Sequence, residues 1–524
     1  MAQQGGAAAE GEAGGVLGWI ERTGNRLPDP VFIFFYLIAA LVVVSVLASL
    51  AGYSALHPTQ RDAGGAPVLI AATSLLAPEN IRRLWADMPL TFTGFHPLGY
   101  VLVVMLGAGI AERTGLFASA MRGAVHGAPK ALLTPMVALV AMMGNLAADA
   151  AYVVLVPLAG ILYAAAGRHP VAGIACAFAG VSGAFSANLL PGQLDALLFG
   201  ITEAAAEALV PSWDANIVGN WYFISGMTLV FLPVVWFVTD RVIEPRLGVH
   251  VAADSPLALA EHEDRVLDCA QRKGLARAGI AALAVVLLWS FFLLGPGTPL
   301  IDQAAEGPAR LSPFFKSLVA GFFVLFLACG WAYGMAAGTV KGHRDIVRMM
   351  KDSMADLAYY LVLAFAAAHF IAMFAWSNLG LILAVQGAEL IRASNLPVPA
   401  LLGLIVLLTG AVNLFVGSAS AKWALLAPVL VPMMMLLGVS PEATTAAYRV
   451  GDGATNIITP LMVYFPLILT FCQRWQKDFG LGSLAATMIP YSIGLLGAGL
   501  ALTIGWIALD IPLGPAAPVH YTMP

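Results

Sequence analysis

The amino-acid sequence predicts an all-α integral membrane protein: nine transmembrane helices plus two oppositely oriented re-entrant hairpins, related as an inverted-topology repeat. Three observations carry that prediction. Of the 524 residues, 60% are hydrophobic and only 11% charged, and the mean hydropathy is +0.84, far from the balance of a soluble globular domain. Lys and Arg are distributed asymmetrically among the connections between apolar runs. Two short polar breaks within apolar runs recur at a constant offset along the chain.

The first 15 residues are rich in Ala, Gly and Glu and lack the basic start and cleavage site of a signal peptide, so residues 1–29 read as a cytoplasmic tail. Runs such as VFIFFYLIAALVVVSVLASLAG (31–52) and AGIAALAVVLLWSFFLLG (278–295) are long enough, at 1.5 Å per residue, to cross a hydrocarbon core of about 30 Å. With Arg22 and Arg26 inside, helix 1 (30–52) leads out and helix 2 (96–116) returns to Arg113, Arg122 and Lys130. The run 131–166 is basic at both ends, through Lys130 and Arg168, so it is expected to enter and leave from the cytoplasm. Its tip, GNLAAD (144–149), must be buried in protein or line a cavity, because lipid cannot satisfy its backbone.

Helix 3 (171–200) then leads out and helix 4 (221–239) returns to a basic loop, 241–277. Helices 5 and 6 reach a second basic loop, 341–351, and helix 7 (356–378) leads out. The run 398–437 lies between segments poor in Lys and Arg, with NLFVGSASAKW near its centre, and reads as a hairpin entered from outside. Helix 8 (442–472) reaches Arg474 and Lys477 inside, and helix 9 (485–509) leaves a C-terminal tail, 511–524, outside. Of the 26 Lys and Arg, this path places 18 inside, 6 outside, and Lys422 and Arg449 within the membrane, a bias that supports it.

The two halves, 30–240 and 278–510, look related. Asn145 at the first tip precedes Asn188 in SANLLP by 43 residues, and Asn413 at the second tip precedes Asn456 in ATNIITP by 43. A hairpin followed by a broken helix therefore occurs twice, at an offset of 268 residues, once from each side. Inverted repeats of discontinuous helices are the signature of secondary transporters with a midplane site, where freed carbonyls and helix ends face ions and substrate.

The segments GNLAADAAYVVLVP, FSANLLPGQLD, GSASAKWALLAPVLVP and YRVGDGATNIITPLMVYFP closely resemble the AbgT family of p-aminobenzoyl-glutamate transporters, from about Leu27 to Trp506. The resemblance implies nine transmembrane helices, two oppositely facing hairpins, a homodimer, and transport driven by Na+ or H+. It also implies a small-molecule substrate, either p-aminobenzoyl-glutamate taken up or sulfonamide antimetabolites expelled. A bacterial inner-membrane location among lipid follows, with neither an enzymatic role nor a cofactor.

Charged side chains at the bilayer centre cost about 2.5 to 3.5 kcal/mol each on insertion scales, so they are functional candidates. Arg449 and Asp452 lie one turn apart and could simply pair with each other. By resemblance, the positions of Arg449, Asp452, Pro460, Trp423 and Pro441 matter to function. Arg449 is the choice for a substrate carboxylate, which its planar fork suits, and Trp423 for the aminobenzoyl ring or as a bulky packing residue. The second repeat gathers Asn413, Ser418, Asp452, Thr455 and Asn456 as oxygen ligands for sodium; the resemblance favours Asn413 and Asp452. Pseudo-symmetry alone offers Asn145, Ser186 and Asn188 as a second sodium set, with helix capping as the alternative. Asp195 follows the first break, where the resemblance points to an aspartate needed for transport. It is both a substrate-site and a proton-coupling candidate, or else pairs with a nearby cation. Asp149 reads as a cap or secondary ion ligand, and His369 as a hydrogen-bonded core histidine rather than a titrating group.

p-Aminobenzoyl-glutamate carries two negative charges near pH 7. Each costs about 2.3 kcal/mol per 100 mV on entering an inside-negative cell. Uptake therefore needs at least two cations per substrate to be electroneutral, whereas one proton suffices for sulfonamide efflux. An intramembrane serine protease is suggested by GVSG (180–183) but lacks a histidine brought to Ser182. A channel has no use for an inverted repeat with Arg in its pathway. Cys176, Cys269, Cys329 and Cys472 are too scattered to suggest disulfides or a metal site, and no basic stripe suggests nucleic acid.

Overall fold

Long apolar runs satisfy their backbone internally only as helices, and helices make up nearly all of the regular structure. The computed structural model describes residues 29–61, 67–126, 129, 132–147, 150–248, 267–295, 297–304, 310–459, 462 and 464–523. Helix α1 (Pro30–Leu50) is capped by Asp29, whose side chain accepts the Val31 N–H. An antiparallel pair of strands, β1 (Ser54–Arg61) and β2 (Pro67–Ala71), follows. The all-α expectation did not include it, because strands of eight and five residues are too short to carry a membrane signal. After α2 (Pro78–Ala86) and α3 (Met88–Thr93) comes α4 (His96–Arg113), which bends by 63° into α5 (Leu116–His126). Gly115 supplies the positive φ, 88°, at that corner.

The first hairpin is α6 (Leu133–Met143), a 3-10 turn Gly144–Ala147, and α7 (Ala150–Ala165). Helix α8 (Pro170–Phe178) widens into a π turn, Ala179–Gly183, and the chain is non-helical until α9 (Gln193–Ala206). Helix α10 (Trp221–Phe237) passes through a second π turn into α11 (Glu244–Leu247). Helices α12 (Cys269–Leu294), α13 (Ser312–Ala337), α14 (His343–Asp356) and α15 (Ala358–Trp376) follow. Then comes α16 (Leu379–Ala393), which the charge-based path lacked. The second hairpin is α17 (Val398–Asn413) and α18 (Ala419–Leu436). It leads to α19 (Pro441–Thr455), a break, α20 (Phe465–Trp475) and α21 (Leu481–Ala508).

Seven described helices are long and apolar enough to cross a membrane, or eight if the bent α4–α5 pair counts as one span. The number departs from nine for a physical reason: helices 3 and 8 of the sequence path are each split into halves too short to qualify, and one hairpin arm, Ala419–Leu436, qualifies by itself. Arg168, read from sequence as a topology marker, is also a structural clamp. Its guanidinium holds Asp240 at 2.5 Å, Glu244 at 2.9 Å and Thr134 at 2.7 Å, and lies 4.4 Å from the Tyr163 ring, tying both arms of the first hairpin to the end of α10.

Glycines let each hairpin press its first arm against a broken helix. A Cβ on Gly180 would meet the Ala141 Cβ at 2.5 Å, and one on Gly451 would sit 2.0 Å from Thr409 Oγ1 and 2.2 Å from the Val406 carbonyl. Gly451→Val is therefore expected to destabilise the protein by about 3 kcal/mol, while Gly482→Ala, with open space around it, changes little. Apparent melting temperatures of the two purified variants, compared with the parent, check this.

Candidate functional site

The two breaks lie against each other. Asn456, just after α19, donates from Nδ2 to the Ser182 carbonyl at 3.4 Å, and a Cβ on Gly453 would come within 3.1 Å of the Gly183 carbonyl. Each hairpin tip reaches its own broken helix through the same bond. Asn145 Nδ2 donates to the Ala184 carbonyl at 3.4 Å, and Asn413 Nδ2 donates to the Asp452 carbonyl at 2.7 Å. Both residues of the second bond stand 268 positions after those of the first, so the sequence repeat has a counterpart in hydrogen bonding. The carbonyls freed by each break are the acceptors.

Four charged side chains are buried here, at most 4% exposed as whole residues, and they pair across elements rather than along α19. Arg449 Nη2 donates to Asp195 Oδ1 at 2.6 Å, joining α19 to α9. Asp195 is held from behind by the Gly192 N–H, 2.7 Å from its Oδ2, at the start of α9. Asp452 pairs with Lys422 of α18, and Lys422 also reaches Asn413 Oδ1. The pairing of Arg449 with Asp452, suggested by their spacing, does not occur. Arg449 keeps two donors, Nε and Nη1, without a hydrogen-bond partner among the described residues.

Trp423 is fully buried and stacks on Tyr448, with centroids 4.4 Å apart and planes at 27°. Its indole N–H donates to Thr202 Oγ1 at 2.9 Å, and Thr202 meets Thr445 Oγ1 at 2.8 Å. Tyr448 in turn donates to the Ala419 carbonyl at 2.6 Å and lies 3.3 Å from Asp452 Oδ1. Pro441 opens α19 behind the Ser440 cap and is buried. A cavity of about 240 Å³ opens beside the first hairpin tip, with Met105, Asn145, Tyr152, Gln193, Leu197 and Tyr360 among its lining residues. It is smaller than the roughly 300 to 1,000 Å³ usual for drug-sized ligands. Neither Arg449 nor Trp423 lines it. A narrower space of about 10 Å³ lies beyond Leu197 and Tyr360, against Ser420 and Ala421 of the second hairpin.

Of the two oxygen sets expected to hold sodium, the second is filled by donors. Asn413 Nδ2 faces the Asp452 carbonyl, Thr455 Oγ1 and Asn456 Oδ1 at 2.7, 2.8 and 2.9 Å, while Asn413 Oδ1 and Asp452 Oδ1 face the Lys422 ammonium. Ser418 serves as N-cap of α18, its Oγ accepting the Ala421 N–H at 3.3 Å. This set does not fit a sodium ion with Lys422 in place. In the first set, Asn188 Oδ1 accepts the Leu190 N–H at 3.2 Å, and Ser186 Oγ is buried without a partner among the described residues, an orphan oxygen that fits a cation.

Asp149 and Pro460 lie outside the described residues. Ser182 Oγ donates to the Met462 sulfur at 3.6 Å, and His369 Nδ1 meets the Phe365 carbonyl at 2.7 Å, so no histidine base contacts Ser182 among the described residues. Sequence reasoning missed Lys422, Thr202 and Tyr448 as members of the site. Lys422 carried the one available signal, an ammonium inside an apolar hairpin; no local pattern marks the other two.

The comparisons agree with this architecture. The model of the AbgT putative transporter family matches residues 15–521. The p-aminobenzoyl-glutamate transport protein of Escherichia coli (strain K12) is 34% identical over 505 residues, 96% of this chain and 97% of that one. The crystal structure of the Alcanivorax borkumensis YdaH transporter, described as having an unusual topology, is 40% identical, with a TM-score of 0.86 over 93% of this chain and 100% of that one. Neisseria gonorrhoeae MtrF, described as illuminating a class of antimetabolite efflux pumps, is 38% identical, with a TM-score of 0.88 over 96% of this chain and 100% of its own. The chain is a multi-pass membrane transporter, not an enzyme, and belongs to the AbgT family.

Proposed function

We propose that the chain is a cation-coupled secondary carrier of p-aminobenzoyl-glutamate or related aromatic acids across the bacterial inner membrane. It works as a homodimer with a cytoplasmic N-terminus, nine spans and two re-entrant hairpins, and its halves, 30–240 and 278–510, enclose the site. The observation that carries this reading is Arg449, buried near the two breaks with two guanidinium donors that have no partner among the described residues. A substrate carboxylate there would meet a fixed, always-charged fork. Trp423 and Tyr448 provide a buried aromatic stack on the neighbouring helices, and Pro441 opens the broken helix.

Coupling follows from the pair itself. With no substrate, Asp195 neutralises Arg449. A substrate carboxylate competing for the guanidinium would leave Asp195 buried without its counter-ion, and this is where the reading puts the coupling cation. Ser186, with Asn145 and Asn188, is the oxygen set suited to a second cation during uptake.

A second reading, proton-driven efflux of sulfonamide antimetabolites, is favoured by one observation: Asp195 is a lone carboxylate on Arg449, and a single exchanged proton satisfies efflux. The relative MtrF is described among antimetabolite efflux pumps.

In proteoliposomes loaded to impose sodium or proton gradients, uptake of labelled p-aminobenzoyl-glutamate is expected to fall at least about tenfold in Asp195→Ala and Arg449→Ala. Wild-type rates in both variants would remove Asp195 and Arg449 from the mechanism. Substrate accumulating only against an outward proton gradient, with no inward uptake, would select efflux. Separately, Asp452→Ala strands the Lys422 ammonium and is expected to cost about 3 to 5 kcal/mol, most of which Lys422→Met in the same chain restores; denaturation midpoints measure both.

A further inference from the structure

We infer that Lys422 is a tethered cation that permanently occupies the second repeat's ion position, so that this half of the carrier binds no mobile sodium. The inference rests on the carrier reading above and narrows where its coupling ions bind. Lys422 is 1% exposed, and its ammonium contacts Asp452 Oδ1 and Asn413 Oδ1 together. These are the two oxygens that an ion at this break needs most. Lysine has donors only, so the contact also dictates how the Asn413 amide is turned. Its oxygen faces the ammonium, and its NH2 faces the Asp452 carbonyl, Thr455 and Asn456. Asn413 Oδ1, Asp452 Oδ1, Thr455 Oγ1 and Asn456 Oδ1 thus each meet a donor, the opposite polarity to an ion cage, in which oxygens converge on an empty centre.

The repeat supplies an independent argument. At the offset of 268 residues, Asp452 corresponds to Ala184 and Lys422 to Val154, whereas Asn413 and Asn456 correspond to Asn145 and Asn188. The amide-to-carbonyl bond is kept in both halves, but the acid and the lysine are present together in one and absent together from the other. A carboxylate that recruited a mobile cation would need no lysine beside it; an acid whose cation is built in needs that one. Charge balance points the same way. Asp452 is already neutralised by Lys422 and Asp195 by Arg449, so a sodium ion at Asp452 would add a charge beside a filled pair. The first repeat, where Ser186 Oγ has no partner among the described residues and Val154 stands at the position matching Lys422, is left as the half able to receive an ion.

The test is binding, measured without transport, so its failure leaves the carrier reading standing. Radiolabelled sodium binding to the purified full chain is compared with choline as the inert cation at constant ionic strength. Sodium binding by the wild type is expected to be the same in Asp452→Asn. Lys422→Met is expected to gain about one sodium ion per chain, with a sodium-specific rise of about 3 °C or more in apparent melting temperature. Both gains are expected to vanish in Lys422→Met/Asp452→Asn, while Lys422→Arg behaves as wild type. Loss of one bound sodium on making Asp452→Asn alone would overturn the proposal. So would a folded, monodisperse Lys422→Met that gains none. If Lys422→Met does not fold, the wild type against Asp452→Asn decides alone.

Discussion

A charge in a medium of low dielectric must have its counter-charge in contact, and this constraint organises the centre of the molecule. Arg449 and Asp452 sit on the same short helix, yet each is neutralised by a different element: α9 through Asp195 and α18 through Lys422. The first pair ties the two halves of the chain together; the second ties a hairpin arm to the helix it precedes. Neither pair can be lost singly without stranding a buried charge.

Broken backbone is the second ingredient. Ending α8 in a π turn and α19 at Thr455 frees carbonyls in the interior, and each hairpin returns an asparagine amide to one of them. Close approach makes this work. Gly180, Gly451 and Gly453 lie where any side chain would collide with the facing backbone or with the first hairpin arm, so helices that would otherwise stand apart share hydrogen bonds. Trp423, Tyr448, Thr202 and Thr445 then close the space between α9, α18 and α19 with their polar atoms satisfied.

Under the carrier reading proposed above, one pair would serve transport in either direction, because a guanidinium shared between a resident aspartate and an incoming carboxylate does not specify which gradient runs downhill. This fits a family whose members carry names for p-aminobenzoyl-glutamate transport and for antimetabolite efflux.

The sequence by itself determined the membrane-embedded helical class, the positions of both hairpin tips, both breaks and the candidacy of Arg449, Asp452 and Asp195, because hydropathy, charge bias and repeated motifs are written along the chain. It overlooked α16 and the β1–β2 pair, since a short helix beside a hairpin and a sheet of two short strands leave no distinct hydropathy signal. It left open whether Arg449 answers Asp452, because spacing on one helix permits that pair without saying what lies opposite. Only the tertiary structure decided that Arg449 faces Asp195, 254 residues away, and that Lys422 fills the place expected for an ion. The physical reason is that buried charges choose partners by contact across packed elements, and contact of that kind is a property of the fold rather than of any stretch of sequence.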